Sequence, residues 1–305
     1  MTAVSWPSGI LTISAGDLVL DVAPDVGGSI SAFYARAKGR RIDWFYPAGD
    51  MALAERDPLG MASFPMVPFC NRIRDGRFTF EGVTVQMPRN THRSVHTLHG
   101  HVWQMPWTVE DSGPDRVELS VEHAPGVWPW RYRARQTYGL TPEALTIRME
   151  VENLDARPMP LGFGHHPFFR RTERATITTE VEAIWCADAE VMPTSLERNE
   201  VVSHLARGMV VGARDLDNNY VGWGGTAEIR WPEHGAGLRM SAGEPFGFFV
   251  TYTPPDKDVF AIEPVSNCTD WLNLRDLGPE KVGGTVLAPG ARAEGSIRFE
   301  PFALD

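Results

Sequence analysis

Cysteine is scarce in this chain. Only Cys70, Cys186 and Cys268 occur among 305 residues, an odd number with no CxxC spacing. That excludes a disulfide framework and suits a reduced, cytoplasmic protein. Long apolar runs are missing too, none approaching the roughly 18 residues of a membrane-spanning helix. The opening residues, Met1-Thr2-Ala3-Val4-Ser5-Trp6-Pro7, have neither the basic stretch nor the apolar core of a secretory leader. Positive charge is in deficit. With 29 basic against 39 acidic side chains and a net charge of −10, the balance argues against nucleic acid or an anionic membrane as the main partner. Internal repeats, low-complexity tracts and composition breaks are also lacking, so residues 1–305 read as one domain.

Alternation fills the space that these absences leave. In residues 144–152 Leu145, Ile147, Met149 and Val151 share one face, with Thr146, Arg148, Glu150 and Glu152 on the other. This is the two-residue period of a half-buried strand. Val117, Leu119 and Val121 alternate with Glu118, Ser120 and Glu122 in the same way. Arg77 to Met87 predicts a hairpin turning at Glu81-Gly82. Further strands are expected near 9–14, 17–22, 29–35, 41–46, 102–110, 129–138, 175–185, 226–231, 246–252 and 295–300. Only 51–57 and 203–208 offer short helices. Half-polar strands without intervening helices predict an all-β chain folded as a large antiparallel β-sandwich, not βαβ units.

Six of nine histidines gather in two stretches: His92, His96, His99 and His101, then the adjacent His165 and His166. An isolated histidine is more often solvated or satisfied in a core. Two clusters set among Gly, Pro and aromatics point to loops at sheet ends, where sites are commonly built. One reading is a metal set, since His99 and His101 share a face if they lie on a strand, and His166 supplies a third ligand. No H-E-x-x-H or Cys-rich motif supports it. The other reading is acid–base chemistry, pairing an imidazole with a carboxylate. Glu263, in Ile262-Glu263-Pro264, sits where an apolar strand gives way to loop, and a plain surface glutamate fits that position equally well. Asp217, in Asp217-Asn218-Asn219, reads as ordinary turn chemistry. Arg72, Arg74 and Arg77 crowd one segment and can clamp hydroxyls or a phosphate, or form a solvated charged face. Trp103, Trp107, Phe168, Phe169, Trp223 and Trp271 fall beside these clusters, as rings that stack on sugars do.

Together the motifs resemble the aldose 1-epimerase (galactose mutarotase) family. Asn71-Arg72-Ile73 followed by Gly76, Leu98-His99-Gly100, His166-Pro167-Phe168-Phe169, Asp217 before Tyr220 and Trp223, and Glu263-Pro264 match its pieces in order. The resemblance implies a β-supersandwich and a reaction on a free aldose that uses neither metal nor cofactor. It makes Glu263 the general base for the anomeric hydroxyl and His166 the general acid for the ring oxygen, facing each other across a bound pyranose. His99 then hydrogen-bonds the ring oxygen or a neighbouring hydroxyl, and Arg72 and Asp217 orient hydroxyls. Departures from the family pattern are His101 for a second glycine, His165 for asparagine, Phe168 for tyrosine and Val265 for glutamine. They leave the identity of the sugar open. Two other functions fit: a hexose-6-phosphate mutarotase with Arg74, Arg77 and Arg170 as phosphate donors, and a non-catalytic carbohydrate-binding protein on the same fold.

Overall fold

Where the two-residue period is strict, it decides the structure. In the computed structural model, which describes residues 9–37 and 39–304, Leu145–Asn153 is a strand that buries Leu145, Ile147, Met149 and Val151 and exposes Arg148. The opening heptapeptide lies outside the described residues. Arg116–His123 buries Val117, Leu119 and Val121. The hairpin Arg77–Phe80 and Val83–Gln86 turns through Glu81 and Gly82, both at positive φ (46° and 77°). This is the backbone a two-residue turn needs to match the strand twist. The two expected helices form at Asp50–Glu55 and Glu200–Arg207, and two unexpected four-residue helices form at Trp271–Leu274 and Pro279–Val282. Glu200–Arg207 is capped by the Asn199 side chain, which accepts from the Val201 amide at 3.0 Å.

Two large antiparallel sheets result, of eleven and nine strands among the described residues. They pack face to face, as an all-β sandwich requires. Phe45 shows the join: it meets Phe169 of the larger sheet and Phe299 of the smaller edge-on, with ring centroids 5.4 and 4.9 Å apart. Each such ring, fully buried, contributes about 1.5–3 kcal/mol by leaving water. Across the middle of the larger sheet, in spatial order, run Ser63–Met66, Gly164–Arg170, Val259–Val265, Phe248–Tyr252 and Asp217–Val221. These strands carry His166, Glu263 and Asp217, while Arg72 and His99 come from the connections beside them.

Two expected strands come out differently. The segment 102–110 begins as a 3-10 turn, Val102–Gln104, and only Thr108–Ser112 is extended. Its indoles fold back on local carbonyls, Trp103 donating to Gly100 at 3.2 Å and Trp107 to Val102 at 3.0 Å. The segment 175–185 is two strands, Thr176–Thr179 in the smaller sheet and Ala183–Ala187 in the larger, so the chain changes layer between them.

Candidate active site

Strand register builds the centre of the site. Gly164 pairs with Val265 and Phe168 with Ala261 across two antiparallel strands. Counting two residues inward from either pair sets His166 opposite Glu263 on one face, where cross-strand side chains meet. His166 Nε2 lies 3.1 Å from Glu263 Oε1. That contact leaves no room for a sugar between the two groups, so the expectation that they face each other across a pyranose is corrected: the two side chains touch directly. On the other side of His166, its cross-strand partner Phe64 stacks on the imidazole, with centroids 4.7 Å apart and planes 25° apart.

The next residue back serves the other face. His165 points into the space between the sheets, its Nδ1 2.5 Å from Ser63 Oγ and its Nε2 3.4 Å from the Tyr138 hydroxyl of the facing sheet. Alternation alone separates the two imidazoles.

Burial dominates the proton chemistry. It pushes the Glu263 carboxyl well above its ordinary value, with the Asp217 charge adding to the rise and Arg72 opposing it. It pushes His166 down to about 3, helped by Arg72 and Arg93. Each shift favours an uncharged group. Whichever of the two carries a proton, the contact sets one donor beside one acceptor. Glu263 Oε2 and His166 Nδ1 are buried without a partner among the described residues, as are the indole nitrogens of Trp44, Trp128 and Trp271.

Three further expected residues reach the same cleft, a hollow of about 520 Å³. Arg72 donates from Nη2 to Asp217 Oδ2 at 3.0 Å. Asp217 is the first residue of a strand, not part of a turn: Asp217–Val221 pairs with Phe248–Tyr252. His99 accepts at Nδ1 from the Asn71 amide at 3.0 Å. Burial first, then the neighbouring His166 and Arg72, hold its pKa well below the ordinary value. The ring is neutral, so its proton sits on Nε2. Behind His99, Gly100 has φ 69° and leaves no space for a side chain, because a Cβ there falls 2.1 Å from the Val67 carbonyl oxygen. Gly100→Ala is expected to destabilise by about 3 kcal/mol, read as a lower urea midpoint, and to displace His99.

A model of the aldose 1-epimerase family matches residues 9–300 of this chain. The chain belongs to the aldose 1-epimerase family. It is 31% identical to the uncharacterized protein YphB of Escherichia coli K12 over 95% of this chain and 99% of that one. Its fold is similar to that of a galactose mutarotase-like protein from Clostridium acetobutylicum, with a TM-score of 0.85 and 19% identity over 97% and 95% of the two chains. It is similar also to galactose 1-epimerase from Lactobacillus acidophilus, with a TM-score of 0.76 and 14% identity over 97% and 95%.

Within this aldose 1-epimerase fold several singled-out residues stand elsewhere. His101 turns away from the cleft to the Tyr132 hydroxyl, 2.8 Å from Nε2, with its ring 4.1 Å from that of His123. His99 has φ 58°, so His99 and His101 do not share a strand face. The metal set drawn from His99, His101 and His166 is not assembled. Arg74 is drawn to Asp188 and Asp270 at 3.7 and 3.9 Å, Arg77 borders a separate hollow, and Arg170 lies over the Tyr46 ring. None of the three lines the cleft, and of the six singled-out aromatics only Phe168 does. Sequence reasoning missed Tyr46, Arg93, Tyr252 and Lys257, which do line it. Arg93 carried a signal, as it lies within the first histidine cluster. No signal marked the other three, which the fold alone brings in.

Proposed function

We propose that this protein is a mutarotase interconverting the α and β anomers of a free aldose. The observation that carries the reading is the buried His166–Glu263 contact, an imidazole and a carboxyl 3.1 Å apart on the floor of a cleft that can hold a monosaccharide. The anomeric and ring oxygens of an aldose are bonded to the same carbon, so two adjacent groups reach both at once. The proton that burial favours on Glu263 first crosses the 3.1 Å contact to His166; the carboxylate then takes the proton of the anomeric hydroxyl while His166 protonates the ring oxygen. The C1–O5 bond breaks, leaving an aldehyde at C1 and a hydroxyl at C5. After rotation about C1–C2 the C5 oxygen attacks the other carbonyl face, and both protons return by the reverse path. The Nε2–H of His99 supports the ring oxygen or a neighbouring hydroxyl, and the Arg72–Asp217 pair orients hydroxyls.

The test follows a freshly dissolved anomer by polarimetry or NMR at a pH where spontaneous exchange is slow. Acceleration of at least one hexose or pentose is expected. No gain over buffer across a panel of both overturns the reading, and tight binding without acceleration identifies a carbohydrate-binding protein instead. A 6-phosphorylated substrate is the second reading. It now rests on Arg93 and Lys257 at the cleft wall, where Lys257 has no carboxylate within ion-pair range among the described residues. The same assay run on a sugar and its 6-phosphate separates the two. Arg72→Lys keeps the charge but loses the fork that holds Asn71 and Asp217. We expect a rise in KM of roughly tenfold, the loss of about one hydrogen bond to a charged group, with kcat changed less.

A further inference from the structure

The donor side of the cleft depends on Asn71, the first residue of the Asn71-Arg72-Ile73 motif, to which the reaction proposed above gives no part. Asn71 is 3% exposed and sits at φ 60°, in the left-handed region. Side chains seldom adopt this conformation, and asparagine tolerates it better than most. In that conformation its peptide groups exchange two hydrogen bonds with His99. The Asn71 amide donates to His99 Nδ1 at 3.0 Å, and the His99 amide donates to the Asn71 carbonyl at 2.8 Å. Its side chain works in the other direction along the chain. Oδ1 accepts from the Arg72 amide at 2.9 Å and from Arg72 Nη1 at 3.0 Å.

The two sets have different consequences. A backbone N–H aimed at Nδ1 leaves that nitrogen only an acceptor's role, so a neutral His99 must carry its proton on Nε2. The side-chain oxygen fixes one end of the Arg72 guanidinium, whose other end Asp217 holds at 3.0 Å. With both ends held, the plane of the fork is set before any sugar arrives.

We propose that Asn71 is a positioning residue with two separable duties: its left-handed backbone sets the tautomer of His99, and its side-chain oxygen sets the plane of Arg72. The second duty is read through the mutarotase reaction proposed above, whereas the first is read without it.

Two substitutions divide the duties. Asn71→Gly keeps the left-handed backbone and removes only the side chain. Asn71→Val removes the side chain and, being β-branched, resists the left-handed conformation; Asn71→Ala is the milder form should the valine variant not fold. The first readout is the nitrogen NMR signature of His99, which distinguishes an Nε2–H from an Nδ1–H ring. The second is the split between KM and kcat for the aldose that the native protein turns over fastest. In Asn71→Gly the Nε2–H signature should persist, with KM up roughly tenfold and kcat within about threefold. In Asn71→Val or Asn71→Ala the single-tautomer signature should be lost and kcat should fall as well. A glycine variant with native KM overturns the side-chain duty, and a folded valine or alanine variant that keeps the Nε2–H signature overturns the backbone duty. If the native protein accelerates no sugar, the mutarotase reading fails with the kinetic arm, and the NMR arm still decides the tautomer claim.

Discussion

Glu263→Gln is expected to lower kcat by about 10²- to 10⁴-fold, the usual contribution of a positioned acid or base, with the fold intact. The amide keeps the shape of the carboxyl and cannot accept the anomeric proton. His166→Asn should cost a similar factor, and the double variant little more than either alone, because the two groups act as a unit. The pH profile tests the same idea. A contact pair is active while it holds one proton, and burial penalises both the doubly protonated cation and the fully deprotonated anion. The activity plateau should therefore be wider than the two or so units that separate ordinary glutamate and histidine values. A narrow bell, or multiplicative losses in the double variant, would sink the shared-proton account. Stability should move the opposite way. The native Glu263 pKa is raised by burial first, so its favourable contribution is full below the unfolded value and disappears as pH rises through the native one. Glutamine does not ionise, so Glu263→Gln should match or exceed the native protein in stability at neutral and alkaline pH.

Acid is expected to unfold this protein early. His101 and His165 are pushed down to about 3, chiefly by burial, while in the unfolded chain each binds a proton near 6.5. Between those values the unfolded state holds two more protons than the native one. Stability then falls by about 2.7 kcal/mol for each unit of acidification. His99, lowered chiefly by burial, steepens the slope. Against a native margin of about 5–15 kcal/mol, a protein in the lower half of that range should unfold between about pH 5 and 4, and a more stable one at lower pH. Urea midpoints at pH 7, 6 and 5 check this, and a flat series rejects it. His165→Gln should reduce the slope by about 1.4 kcal/mol per unit.

The sandwich was legible because so many strands have one face against the core. Thr226–Trp231 and Leu145–Asn153 announce themselves by alternation alone. The strands that carry the site do not. Gly164–Arg170 and Val259–Val265 are buried on both faces over most of their length, so their polar residues interrupt a run instead of marking a solvent side, and His166 and Glu263 read as loop-borne. Asp217 was misread for a related reason. The Asp-Asn-Asn run looks like a turn, yet Asp217 pairs with Tyr252 and Asn219 accepts from Thr269 at 2.8 Å. His101 failed in the opposite sense, since the two-residue spacing from His99 means a shared face only on a strand. The order of the motifs brought out Arg72, His99, His166, Asp217 and Glu263, while the 3.1 Å contact and the places of Tyr46, Tyr252 and Lys257 depend on register and sheet order, which no short stretch of sequence contains.

One consequence follows from two neighbouring imidazoles serving opposite sides of a single strand. Inserting one residue between Gly164 and His165 would trade their places, sending the His166 ring into the interior and bringing the His165 ring out to the cleft. Natural length variation in this family should therefore avoid that stretch entirely and collect in the outer connections, leaving its spacing to the partner strand as fixed as the chemistry itself.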